Sequence, residues 1–197
     1  MQNIYHMPKK LGEQFLMSDL GPLNYFLGIG VLHSSKGYYI SQSKYIQDLI
    51  ARSRLSDNKT TTTRMDLHLQ LRPTDGSPLE DPSRYHHIVG SLVYLMVTRF
   101  DIAHVVHILS QFLSVPTSVH FGHLLHVLRY LRGTLSQCLF YASDSPLELH
   151  AYSVSTWVSD PTNRRPVTSY CILIDSSIAW KSKKQAVVSR SSTEAEF

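Results

Sequence analysis

Between Tyr85 and Leu131, apolar residues recur three and four positions apart in three successive runs, and no other feature of the chain constrains its fold as tightly. Tyr85, Ile88, Val89, Leu92, Leu95 and Met96 form the first stripe. Ile102, Val105, Val106, Leu109, Phe112 and Leu113 form the second, and Phe121, Leu124, Leu125, Leu128 and Leu131 the third. Arg99-Phe100-Asp101 and Pro116-Thr117-Ser118 separate the runs, and Gly133-Thr134 ends the last. Three helices that each carry one apolar face must bury those faces against one another, so the expectation is a compact three-helix unit.

The flanks have strand character. Leu23 to Ile29 is apolar and aromatic, Ser34-Ser35-Lys36-Gly37 breaks the run, and Tyr38-Tyr39-Ile40 resumes it, which predicts a β-hairpin. Tyr45, Ile46, Leu49 and Ile50 then follow helical spacing, with Ser41 as the expected cap and an end near Leu55. Residues 56–83 are polar, with Thr60 to Thr63 in a row and Pro73, Pro78 and Pro82, and are expected to form an extended connection. Beyond Thr134 the pattern is β throughout: Cys138 to Tyr141, Leu147 to Trp157, Val167 to Ile174 and Ile178 to Trp180. Ser191-Ser192-Thr193-Glu194 has the form of a capping box opening a helix close to Phe197, so the last unit reads as cut short. The fold class expected from these runs is α+β: an N-terminal hairpin and helix, a central three-helix unit and a C-terminal antiparallel sheet.

Composition sets the outer bounds. A chain of 197 residues suits one ordinary domain or two small ones, and 43% hydrophobic against 17% charged residues is enough to build a core. A net charge of +4 and 11 histidines favour anionic partners weakly. The first ten residues lack the apolar stretch of a signal peptide, and the longest nearly apolar run, Ile88 to Val97, is far short of the ~20 residues of a membrane span. An intracellular protein, cytoplasmic or nuclear, with no membrane association is the expectation. Cys138 and Cys171 are the only cysteines, too few and too far apart for a disulfide scaffold or a thiolate zinc site.

The segments Leu20-Gly21-Pro22-Leu23-Asn24-Tyr25-Phe26-Leu27-Gly28-Ile29, Ile40-Ser41-Gln42-Ser43-Lys44-Tyr45-Ile46, Val89-Gly90-Ser91-Leu92-Val93-Tyr94-Leu95, Thr98-Arg99-Phe100-Asp101-Ile102 and Leu128-Arg129-Tyr130-Leu131-Arg132-Gly133-Thr134 resemble, in this order, the copia-type retrotransposon Pol polyprotein. The resemblance continues through Trp180-Lys181-Ser182-Lys183-Lys184-Gln185 and Ser191-Ser192-Thr193-Glu194-Ala195-Glu196. It implies a four-part plan. Residues 1–55 correspond to the end of a reverse transcriptase palm and the start of its thumb, 56–83 to a polar linker, 84–134 to thumb and connection helices, and 135–197 to a truncated ribonuclease H-like domain.

The same resemblance implies RNA-templated DNA synthesis and hybrid RNA removal for the intact family, both using Mg2+. Each reaction needs two metal ions roughly 4 Å apart, held by clustered carboxylates. The family's paired polymerase aspartates lie upstream of the matching segment, and this chain has no Asp-Asp dipeptide. Where the family's first ribonuclease H strand has its leading aspartate, this chain has Val154, and Thr156 replaces the second carboxylate. Neither side chain suits a hard divalent cation. Glu196 best matches the helix-borne catalytic glutamate, with Glu194 as the other candidate. A catalytically inactive fragment with no cofactor of its own is therefore expected.

Binding residues are sparser. Gly28-Ile29-Gly30 lacks the third glycine and the following helix of a dinucleotide loop, while the resemblance implies that the Phe-Leu-Gly turn lies near a primer terminus. Lys181, Lys183, Lys184 and Arg190 fall in a stretch without an acid, which reads equally as a phosphate-contacting surface or a solvated strand edge; Arg129 and Arg132 are candidates to extend it. His104, His107, His123 and His126 are expected on solvated faces rather than in a metal site. The expected partners are a template-primer or RNA/DNA hybrid, held weakly, or intact Pol relatives; the alternative function is a non-catalytic binding or Pol-interacting module.

Overall fold

The computed structural model of the chain describes residues 21–55, 57–66, 71–145, 148–156, 165–174, 176–186, 188, 191 and 193–194. Four α-helices and two antiparallel sheets make up the regular structure of these residues. The first sheet opens with β1 (Tyr25–Phe26), β2 (Ile29–Ser34) and β3 (Gly37–Ser41). Leu27 and Gly28 form the two-residue turn between β1 and β2, both at positive φ (48° and 83°). That backbone matches the twist of a tight hairpin, and glycine adopts it without cost. At Gly37 (φ 143°) a Cβ would collide with the Tyr141 carbonyl, so only glycine lets a fourth strand approach.

That strand is β4 (Leu139–Ala142), which pairs Tyr39 with Phe140 and Ile40 with Leu139. The run at Cys138 to Tyr141 thus forms its strand in the N-terminal sheet, paired with β3, and not in the sheet of the C-terminal strands with which its sequence position groups it. Periodicity reveals a strand but not its partner.

Between β3 and β4 lie α1 (Ser43–Arg52), α2 (Ser83–Leu95), a 3-10 turn (Phe100–Ile102) leading into α3 (Ala103–Ser110), and α4 (Ser118–Gly133). The expected three-helix unit is a four-helix one: Ile46 and Leu49 of α1 share a single core with Leu92, Leu95, Val106, Leu109, Leu124 and Leu128. Burial of each such side chain stabilises by about 1.5–3 kcal/mol. Val127 and Tyr130 of α4 also face this core, rotating the buried face slightly from the predicted stripe, and Leu113 lies exposed beyond the end of α3. Ser41 does not cap α1. Gln42 holds the cap position without a side-chain cap bond, and its buried amide oxygen instead accepts from the Thr98 hydroxyl at 2.8 Å.

Polar groups lock the helices at their ends. The Tyr85 hydroxyl donates to the Leu109 carbonyl at 2.8 Å, joining α2 to α3. Buried Arg99 forms a two-pronged pair with Asp101, both bonds 2.9 Å, and also donates to the Thr134 carbonyl and hydroxyl past the end of α4. Burial pushes the Asp101 carboxyl up, but its bonds from Arg99 and Tyr130 outweigh this and hold it below the usual range.

The polar connection has no regular element among its described residues, yet it is packed rather than loose. Met65, Leu71 and Leu79 lie against the core, and Leu79 and Ser118 exchange backbone bonds with Pro116 and Ser77 across the start of α4. Asp57 accepts from Arg129 at 2.6 Å, and Arg132 donates to the Asp57 carbonyl.

The second sheet contains β5 (Leu149–Thr156), β6 (Val167–Ile174) and β7 (Ser176–Lys184) in that order. It meets the helical unit through β7: the Trp180 and Phe100 ring centroids are 5.4 Å apart, and Lys184 Nζ reaches Gln111 Oε1 at 3.2 Å. No helix among the described residues is long and apolar enough to cross a membrane.

Candidate nucleic-acid interface

The Leu27-Gly28 turn carries Gly28, one of the candidate binding residues. It projects from the first sheet onto two tyrosines, Tyr45 of α1 and Tyr94 of α2, whose rings meet edge to face at 5.0 Å. The Tyr94 hydroxyl donates to the Leu27 carbonyl. A Cβ placed on Gly28 would lie 3.6 Å from both rings, so the turn backbone rests directly on them. Tyr25, Phe26 and Leu27 stay exposed around the turn, and the Lys44 ammonium sits 5.4 Å from the Tyr25 ring centroid. The arrangement offers apolar and aromatic surface beside a cation, suited to stacking and phosphate contact rather than to bond-making chemistry. Tyr45 and Tyr94 both lie in segments that carry the family resemblance, but neither was named as a site residue, because an aromatic residue on a helix reads first as packing.

The basic stretch is divided by the pleat of β7. Lys181 and Lys183 alternate onto one face, opposite Tyr170 and Thr168 of β6, and both are exposed. Lys184 falls on the other face with Trp180 and turns toward Gln111. Trp180, Lys181 and His107 help to line a cavity of about 420 Å³ between β7, α2 and α3. Arg190 and Glu196 lie outside the described residues. Glu194 is exposed, and its N–H donates to Ser191 Oγ at 3.1 Å, one half of the expected capping box. Gly28 and the lysines sit on different elements, the first against α1 and α2, the second against α3.

Val154 occupies the middle of β5, paired with Ser169 and 58% exposed. None of the three strands of its sheet carries an Asp or Glu. Among the described residues no three His, Cys, Asp or Glu side chains converge as metal ligands would.

Two expectations need correction. Arg129 and Arg132 do not extend the lysine surface, because the connection folds back and engages both through Asp57. The histidines are not solvated faces either: of the four named, only His104 is exposed. His126 bonds the Thr63 carbonyl at 2.8 Å, again through the connection. Burial lowers the affinity of His107 and His123 for a proton, with neighbouring positive groups adding to the effect. His120 is fully buried and holds the start of α4: its Nδ1 accepts from the Thr117 N–H at 3.1 Å, and its Nε2 meets the Arg72 carbonyl at 3.1 Å. Only a neutral ring with its hydrogen on Nε2 satisfies both partners.

Comparison with known proteins adds the following. Residues 1–66 match the family described as reverse transcriptase (RNA-dependent DNA polymerase). The chain is 42% identical, over 95% of its length, to the retrovirus-related Pol polyprotein from transposon RE1 of Arabidopsis thaliana, of which it spans 13%. It is 37% identical, also over 95% of its length, to the Pol polyprotein from transposon TNT 1-94 of Nicotiana tabacum, of which it spans 15%. An uncharacterized mitochondrial protein of Arabidopsis thaliana is 37% identical, with 95% of this chain and 78% of that protein covered. No solved structure matches the chain.

Proposed function

Because the chain belongs to the reverse transcriptase family of copia-type retrotransposon Pol polyproteins, we propose that it is a non-catalytic fragment that holds a template-primer or RNA/DNA hybrid. The observation that carries this reading is the Gly28 turn, fixed by Tyr94 and Tyr45 with exposed aromatic residues and Lys44 around it. On this reading the four helices act as the thumb and connection of a polymerase, and β5 to β7 are the opening strands of a ribonuclease H-like domain.

The residues present do not fit the paired metal ions of the intact family. A hard divalent cation needs charged oxygen ligands, and at the position in question this chain offers an isopropyl group in a sheet whose strands hold no carboxylate. No polymerase or nuclease step is assigned to it. What its own residues can do is bind: Gly28 adopts the positive φ that the turn requires, and the two tyrosines hold the turn in place.

The test is titration of a labelled RNA/DNA hybrid with the full chain, with Gly28→Val as the control. Valine disfavours the positive φ at Gly28 and adds bulk next to both tyrosines, so it should weaken binding several-fold. Unchanged affinity in the variant would refute the role given to the turn.

A further inference from the structure

Between the end of α1 and the first turns of α2 lies an open cleft of about 840 Å³, lined by Arg52, Arg54, Arg84, Ser83, Ser91 and Tyr45 among others. These arginines come from segments some thirty residues apart in sequence, and no motif connects them. Arg52 is the last residue of α1, with its guanidinium 5.9 Å from the Tyr45 ring centroid and one bond to the Asp48 carbonyl at 3.2 Å. Arg84 is anchored by the Ser53 carbonyl and packs over Phe121 at 5.0 Å. Each guanidinium carries five donors, so both retain capacity for an anion.

Arg54 is the most informative of the three. It follows the Ser53 cap of α1 in the left-handed conformation, with φ of 52° and its N–H bonded to the Ala51 carbonyl. Helices that end this way usually place glycine there, because other residues strain. An arginine at this position costs the fold something and sets a cation on the cleft wall. Among the described residues Asp81 is the one carboxylate on the lining, and it is already engaged by the Ser83 N–H at 2.9 Å, with its acidity increased mainly by hydrogen bonds from Ser83.

We propose that this cleft grips successive phosphates of a nucleic-acid backbone. Arg54, Arg52 and Arg84 supply the guanidinium forks, which match phosphate oxygens in geometry as well as charge. Tyr45 lines the cleft and also lies against the Gly28 turn, so the two share one residue. The inference rests on the nucleic-acid reading above and moves its electrostatic centre from the lysines of β7 to the α1–α2 junction.

The experiment measures affinity of the full chain for a labelled RNA/DNA hybrid at several salt concentrations. Arg54→Gly removes the cation while giving the backbone its preferred residue, so the melting temperature should hold or rise. Affinity near ~0.1 M salt should fall about fivefold, and the slope of log affinity against log salt should shrink by about one. Arg52→Ala with Arg54→Gly should shrink it by about two, while Lys181→Ala with Lys183→Ala should change it by less than about one. An unchanged slope in the Arg52/Arg54 double variant, with wild type binding normally, overturns the cleft and leaves the broader reading standing. Wild type that shows no salt-dependent binding at all overturns both.

Discussion

The phenol of Tyr94, on α2, donates to the carbonyl of Leu27, in the turn between β1 and β2, and so couples the core of the helical unit to the tip of an otherwise exposed hairpin. Removing that donor with Tyr94→Phe keeps the ring and its contact with Tyr45. It should cost about 0.5–1.5 kcal/mol of stability, the usual net value of one hydrogen bond. Amide exchange at Gly28 and Ile29 should accelerate more than exchange elsewhere in the first sheet. Uniform acceleration across the sheet would show that the tyrosine supports the whole layer and not the turn.

Acid should weaken the helical unit. His107, His120 and His123 all have their proton affinity lowered by burial. The folded values lie below the unfolded value of ~6.5, so the unfolded chain takes up protons first as pH falls. Their contribution is complete above ~6.5 and is lost progressively as pH drops through that value toward the folded ones. Urea unfolding at about pH 7.5 and about pH 5.5, either side of that value, should show the lower midpoint in acid. His120→Ala should be less stable than wild type at both pH values and have the smaller pH dependence. A midpoint that rises on acidification would contradict the assignment.

Arg99 is the most consequential polar residue of the core. Its side chain is 3% exposed and pairs with Asp101 while also bonding Thr134. Arg99→Ala would strand a half-buried carboxylate and free the C-terminal end of α4. Breaking a buried pair from one side typically costs about 3–5 kcal/mol. The check is denaturant unfolding of Arg99→Ala beside Leu92→Ala, a cavity variant for which about 2–5 kcal/mol is expected. A cost below about 1 kcal/mol for the arginine would place it among solvent-screened surface pairs.

Val154→Asp should not create ribonuclease H activity. One carboxylate on a sheet whose strands have no other acid falls short of the ligand set that two metal ions require. A labelled hybrid incubated with Mg2+ or Mn2+ should keep its RNA strand intact with wild type and variant alike. Cleavage by the variant would show that the surviving groups suffice.

The helices were legible because each carries its own apolar period; Leu92, Leu109 and Leu128 could be assigned to the core from spacing alone. What spacing could not reveal was partnership. Nothing local links Ile40 to Leu139, or Ile46 to the stripes that begin at Tyr85, and these contacts join the N-terminal elements to the rest. The polar connection misled for a related reason. Its Asp57, Thr63 and Arg72 have little apolar character, so their engagement by Arg129, His126 and His120 left no trace in periodicity. Of the proposed contacts, Gly28 was named through a family motif, whereas Arg52, Arg54 and Arg84 meet only because α1 and α2 pack together.

The central claim, that this chain grips a hybrid without acting on it, is tested most directly by one titration. A labelled RNA/DNA hybrid is followed by anisotropy with Mg2+ present across a range of salt, and its RNA strand is sized at the end point. If three arginines reach phosphates, log affinity should fall linearly with log salt with a slope of magnitude about 3, and the RNA should remain full length. Affinity that is absent or indifferent to salt, or RNA shortened in proportion to the protein added, would contradict it.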